Sequence, residues 1–157
     1  MIPNELVDCI LEKLYFDTQT LLNCALVGRA WVYSSQCGIF RHIILEYPGF
    51  RLDNFYLDPC ERLVATFNAN PRLALYVRSL QLLKFDGDDE AFYTAAANVI
   101  RRLSNVNRLS LLFVDWQALP SLLKTALTEM FRAPSLTQVS LAMFTIRSFA
   151  ELGSLLS

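Results

Sequence analysis

Three short segments, SLQL at Ser79–Leu82, RLSL at Arg108–Leu111 and QVSL at Gln138–Leu141, share one alternation of apolar and polar side chains. Leu80 lies 29 residues before Leu109, and Leu109 lies 30 before Val139. Three residues ahead of these positions stand Val77, Val106 and Leu136; six ahead stand Ala74, Leu103 and Ala133. A period of two puts alternate side chains on one face of a strand. The interval leaves room for one helix before the next strand, and that helix is legible. Phe92, Ala95, Ala96, Val99, Ile100 and Leu103 recur with the 3.6-residue period, as do Leu119, Leu122, Leu123, Ala126, Leu127, Met130 and Phe131. Strand–helix units at fixed spacing bury their apolar faces by stacking, with their strands parallel. The period predicts an α/β solenoid.

Weaker signals extend the pattern at both ends. An opening strand is expected at His42–Leu45, within RHIIL, and a helix at Asp58–Phe67. In that helix Asp58 is the expected cap, Pro59 suits the first turn, and Leu63, Val64 and Phe67 point inward. Phe149, Leu152, Leu155 and Leu156 begin another helix, and the chain stops at Ser157. No capping repeat with a polar outer face follows, so the last unit is expected to be truncated and frayed. The acidic run Asp86–Glu90 lacks the alternating ligands and distant Glu of an EF-hand loop. It reads as a solvated turn whose acids favour the start of the next helix.

The first forty residues follow a different rule. Leu6, Val7, Ile10, Leu11 and Leu14 lie on one face of a first helix, with Glu5, Asp8, Glu12 and Lys13 outside it and Pro3 at its start. Asp17 or Thr18 can cap a second helix beginning near Thr20. Leu21, Leu22, Cys24, Ala25, Leu26 and Val27 point in nearly every direction around that helix. A helix apolar all round must be covered all round, by the rest of the chain or by a second protein. Gly28 is expected to end it as a left-handed cap. Arg29, Ala30 and Trp31 then open a third element with a large aromatic, a residue type enriched at interface hot spots.

Residues 3 to 45, in PNELVDCILEKL, LLNCALVGRAW and IFRHIIL, resemble an F-box of the kind common in fungal proteins. The features carrying the resemblance are Pro3, Glu5, Leu6, Ile10 and Leu14, then Leu22, Ala25, Leu26, Val27, Arg29 and Trp31, then Phe40, Ile43 and Leu45. Gly28 stands where the family usually has Cys. Residues 73 to 157 resemble degenerate leucine-rich repeats without the usual Asn or Cys after each Leu-x-Leu. The resemblance implies a three-helix F-box over residues 1–45, a connecting segment over 46–72 with a helix near 58–68, and a short leucine-rich-repeat-like strand/helix solenoid over 73–157.

It also implies a function. The helices would dock onto a Skp-family adaptor through Pro3, Leu6, Ile10, Leu14, Leu22, Leu26, Val27 and Trp31. Through that adaptor the chain would join a cullin-type (SCF) ubiquitin ligase, as a non-enzymatic substrate-recognition subunit. The repeats would hold an unidentified target protein near the ligase, acting by effective concentration. Target contacts are expected from Gln81, Ser110 and Ser140, or from a loop residue such as Trp116. The alternative is an F-box/repeat scaffold in protein–protein interactions outside the ligase.

Composition narrows the remaining classes. Fourteen basic against 15 acidic residues give a net charge of −1, so the basic face that phosphate contacts require is missing and no nucleic-acid partner is expected. No uninterrupted apolar run reaches the roughly 20 residues of a membrane span. Glu5 and Asp8 precede any Lys or Arg, unlike a signal peptide, so the expected location is intracellular, in cytoplasm or nucleus. Cys9, Cys24, Cys37 and Cys60 form no Cys-x-x-Cys pair, and His42 is the only histidine. A zinc site from Cys37, His42 and Cys60 lacks the tight ligand pairs such sites use, so these thiols read as structural. Ser121 and Lys124 spell S-x-x-K, but within an amphipathic helix and with no S-D-N or K-T-G partner. No catalytic residue, metal or cofactor is assigned; a hydrolase is the remaining rival, with no nucleophile–base–orienter set to name.

Overall fold

A computed structural model describes residues 3–47, 59–85 and 89–156 of the chain. Three helices come first: α1 (Asn4–Glu12), α2 (Thr18–Val27) and α3 (Arg29–Ile39). Strand β1 (His42–Glu46), helix α4 (Pro59–Ala69) and a 3-10 turn over Pro71–Tyr76 follow. Then β2 (Ser79–Phe85), α5 (Glu90–Ile100), β3 (Arg108–Asp115), α6 (Ser121–Phe131), β4 (Gln138–Thr145) and α7 (Phe149–Leu156) alternate. The strands form one sheet in the order β1-β2-β3-β4, every pair parallel.

The expected fold class needs correction. Among the described residues the chain is a mixed α/β domain with a four-stranded all-parallel sheet and seven α-helices, and not a three-helix F-box followed by a leucine-rich-repeat-like solenoid. The reason lies in β1. Ile43 and Leu45 pair in register with Leu80 and Leu82 and are buried in the same core, so the sheet begins inside the segment assigned to the helical module. Tyr33 of α3 also meets Tyr76 edge-on at 5.6 Å, joining the early helices to the turn that feeds β2.

The thirty-residue period nevertheless organises this sheet. The Arg41 carbonyl accepts from the amides of Arg78 and Ser79, that of Arg78 from Asn107 and Arg108, and that of Asn107 from Thr137 and Gln138. Each strand entrance is thus held by one carbonyl of the preceding strand's entrance. Leu80, Leu109 and Val139 align, as do Leu82, Leu111 and Leu141. These face the buried cluster to which α4, α5 and α6 contribute Phe67, Phe92, Val99, Leu123 and Leu127.

Among the described residues, three that are not glycine adopt left-handed backbone: Lys84 (φ 57°), Phe113 (φ 54°) and Met143 (φ 49°). They stand at equivalent points, and the ladder passes over them, resuming at Phe85 opposite Val114 and Val114 opposite Phe144. A regular strand would bury every second residue. Here the core set is Leu80, Leu82, Phe85 in β2 and Leu109, Leu111, Val114 in β3. The left-handed residue re-phases the alternation by one position, at about 1–2 kcal/mol for a residue with a Cβ. Repeated in three adjacent strands, it returns a large apolar side chain to the core at each strand's end.

Candidate partner-docking surface

Asp17 is the local device that starts α2. Its carboxylate accepts from the Thr20 amide at 3.0 Å and from the Thr20 hydroxyl at 2.6 Å. These bonds favour the ionised form and hold its pKa below the usual carboxylate value. The cap therefore contributes above about pH 4 and is lost as pH falls through the depressed folded-state value. We expect acidification from pH 5 to below 3 to reduce hydrogen-exchange protection factors in α2 more than in α5. Asp17→Asn should abolish that difference, because an asparagine caps at every pH; an unchanged pH dependence in that variant would remove the cap from the account.

The first three helices have their own small core. Val7, Leu11 and Leu21 are buried in it, with Leu14, Tyr15, Cys24, Trp31 and Ile39 packed around them. The Ser34 hydroxyl donates to the Asp8 carboxylate, tying α3 to α1, and the Arg41 guanidinium lies 5.2 Å from the centre of the Tyr15 ring. Gly28 is extended (φ 173°, ψ 164°) rather than left-handed, and a Cβ there would touch nothing within 4 Å. Gly28 does end α2, but without the expected left-handed conformation; the turn from α2 to α3 makes no demand for glycine.

The eight expected docking residues divide into two groups. Leu14 and Trp31 are half-buried in the small core. Pro3, Leu6, Ile10, Leu22, Leu26 and Val27 are exposed. Leu6 and Ile10 are i,i+4 neighbours on α1, and Leu22 and Leu26 on α2, so each pair shares a stretch of helix surface. Leu26 is 85% exposed and Phe16, in the turn joining the helices, fully so. Single exposed apolar residues are ordinary; their concentration is not. Of the eleven large apolar side chains exposed among the described residues, six fall between Leu6 and Val27. Sequence reading missed Phe16, though its position at the end of an apolar helix, just before a capping Asp, marks it as a turn residue.

The sheet supplies a second surface. Gln81, Ser110 and Ser140 are in register across β2, β3 and β4, on the side away from the buried cluster, and range from half-buried to exposed. The next row on that side is Leu83, Leu112 and Ala142, with Phe113 and Met143 exposed beside it. All-parallel sheets usually have both faces covered; among the described residues this row is only half-buried to exposed. The sequence hid it because the re-phasing at Phe113 and Met143 follows no glycine or asparagine signal. Trp116 does not belong to it. It is 4% exposed, packed 6.3 Å from Phe131 and 6.2 Å from Phe144, a core aromatic instead of a target contact.

The remaining features offer little chemistry. An open groove of about 740 Å³ between α4 and α5 is bordered by Glu61, Asn68, Glu90 and Asn98. Asp89 caps α5 through the amides of Ala91 and Phe92, while Asp86, Gly87 and Asp88 lie outside the described residues, as does Asp58. Burial raises the Cys37 thiol above its ordinary pKa, the opposite of what a reactive cysteine needs. Among the described residues no three His, Cys, Asp or Glu side chains converge as a metal would require. The Lys124 ammonium donates to the Gln117 carbonyl at 3.0 Å, and Ser121 lies on an exposed helix start. No described helix is long and apolar enough to cross a membrane. Compared with known proteins, the chain matches no family model, no curated protein and no solved structure.

Proposed function

We propose that this chain is a non-enzymatic recognition subunit that docks through α1 and α2 onto a Skp-family adaptor and carries a target protein to a cullin-type ubiquitin ligase. The observation that carries the docking half is the concentration of exposed apolar side chains between Leu6 and Val27. The F-box resemblance of residues 3–45 supports a Skp-family partner, and the half-buried to exposed row Gln81, Ser110 and Ser140 is where the target would bind. A helix pair presenting i,i+4 apolar anchors suits a groove that accepts them as a set.

The test is a binding titration against a purified Skp-family adaptor. Complete burial of a leucine is worth about 1.5–3 kcal/mol, and an aspartate in its place adds a desolvated charge. Leu22→Asp and Leu26→Asp should therefore weaken binding by about 100-fold or more while leaving thermal unfolding nearly unchanged, because both side chains are exposed. Trp31→Ala should weaken binding and also lower stability, because Trp31 packs in the small core. A folded wild type that does not bind the adaptor overturns the proposal. Recovery of the cullin together with the adaptor separates ligase work from a scaffold role outside it.

A further inference from the structure

The net charge of −1 conceals an unequal distribution over the fold. Because the four strands are parallel, every connection entering a strand lies at one end of the sheet. These entering connections carry arginine and no acid. Arg41 precedes β1, Arg72 and Arg78 lie between α4 and β2, and Arg132 lies between α6 and β4. Arg101, Arg102 and Arg108 lead from α5 into β3. The connections leaving the strands carry an excess of acids instead, four of them within Asp86–Glu90. The topology thus gathers seven of the fourteen basic residues in segments that contain no Asp or Glu.

Three of the seven are engaged within the fold. Arg78 donates to the carbonyls of Leu75 and Asn105, Arg102 donates to the Asn98 carbonyl and the Asn68 side chain, and Arg41 lies over the Tyr15 ring. Arg72, Arg101, Arg108 and Arg132 are exposed, and among the described residues their side chains have no hydrogen-bond or ion-pair partner. The nearby acids are Glu129, one turn before Arg132, and Asp8 and Glu12, which act on Tyr15 beside Arg41; none forms an ion pair with an arginine of this end. The C-termini of α4, α5 and α6 offset about half a charge each, so the end stays strongly positive. An exposed aromatic stands beside it: Tyr33 is 61% exposed and meets Tyr76, two residues before Arg78, edge-on.

We propose that this end of the sheet binds single-stranded nucleic acid, with its phosphates on Arg72, Arg101, Arg108 and Arg132 and a base on the Tyr33 ring. Interfaces with nucleic acid are much more positive than those between proteins, and a guanidinium fork fits phosphate oxygens two at a time. Unpaired bases stack on exposed aromatic rings, a contact that neither a closed duplex nor an acidic peptide makes. The expectation of no nucleic-acid partner rested on the net charge, and the fold overrides it by sorting the arginines to one end. The inference uses no residue of α1 or α2 and does not depend on what they bind.

Fluorescence anisotropy of a labelled uridine oligonucleotide and its deoxythymidine counterpart, titrated with the full chain, tests this. Four phosphate contacts predict a log–log salt slope of about −2.8, or binding about 50-fold weaker at about 200 mM salt than at about 50 mM. Arg108→Glu combined with Arg132→Glu should bring the slope to about −1.4 and weaken binding at least tenfold. Thermal unfolding of that variant should stay nearly unchanged, because both side chains are exposed. Tyr33→Ala should weaken binding about fivefold or more, and Tyr33→Phe should not. Failure to bind either strand at low salt, indifference to the arginine pair, or equal affinity for a duplex would overturn the inference. Equal affinity for polyglutamate would also overturn it, by making the partner an acidic protein.

Discussion

Truncating Phe85 to alanine is expected to lower the stability of the domain by about 3–5 kcal/mol. Phe85 is completely buried, with its ring centre 5.2 Å from that of Phe92 and 5.9 Å from that of Tyr93. Tyr47 closes the group, edge-on to Phe92 at 5.2 Å and stacked on Tyr93 at 6.2 Å. The four rings join the ends of β1 and β2 to the first turn of α5. Removing one leaves a cavity between elements fixed by the sheet's register, so collapse around it is limited. The control is Phe113→Ala. Phe113 shares the left-handed position of the residue just before Phe85, but its side chain is half-exposed. Its loss should change stability by no more than about 0.5 kcal/mol. Urea midpoints for the two variants decide the matter. A Phe85→Ala cost below about 1 kcal/mol would mean that the aromatic group is loosely packed.

That pair of phenylalanines also marks how far the sequence could be read. The thirty-residue period located β2, β3 and β4, because Leu80, Leu109 and Val139 carry the core side of the sheet in plain alternation, and RHIIL marked an opening strand at His42–Leu45. The alternation predicts the wrong side for everything past Leu83, Leu112 and Ala142, since no residue there advertises a left-handed turn. Phe85 therefore went unnoticed as a core anchor, and the exposed Phe113 and Met143 went unnoticed as a surface. The overall architecture was misread because the strand expected at His42–Leu45 was also counted within the helical module of residues 1–45. Pairing with β2, a contact between residues 37 positions apart, shows that this expected opening strand belongs to the same sheet. The exposed apolar side chains of α2 were legible for a simpler reason: so apolar a helix cannot cover itself, and Leu22, Leu26 and Val27 are the part that stays exposed.

The second large effect is expected at Gly38, in the last turn of α3. On an exposed helix, glycine to alanine adds stability, by up to about 1 kcal/mol. Gly38→Ala should instead destabilise, by about 1–3 kcal/mol. A Cβ at this position would lie 2.5 Å from Cδ1 of Tyr15 and 2.6 Å from Cδ1 of Leu21. Neither atom has an easy retreat. Leu21 is fully buried at the centre of the small core, and the Tyr15 ring is held between that core and the Arg41 guanidinium. Glycine lets α3 pack this closely against Leu21 of α2 and against Tyr15. The damage should be local, because Val7, Leu11 and Leu21 form a cluster separate from the core of the sheet. Hydrogen exchange should then show α1 and α2 opening more readily in Gly38→Ala, with β2, β3 and α5 protected as before. On the docking proposal, adaptor binding should fall with the population of the closed helices. A rise in stability would show that the α2–α3 contact yields to an added methyl, and the rigid presentation of the apolar pairs that the docking proposal assumes would go with it.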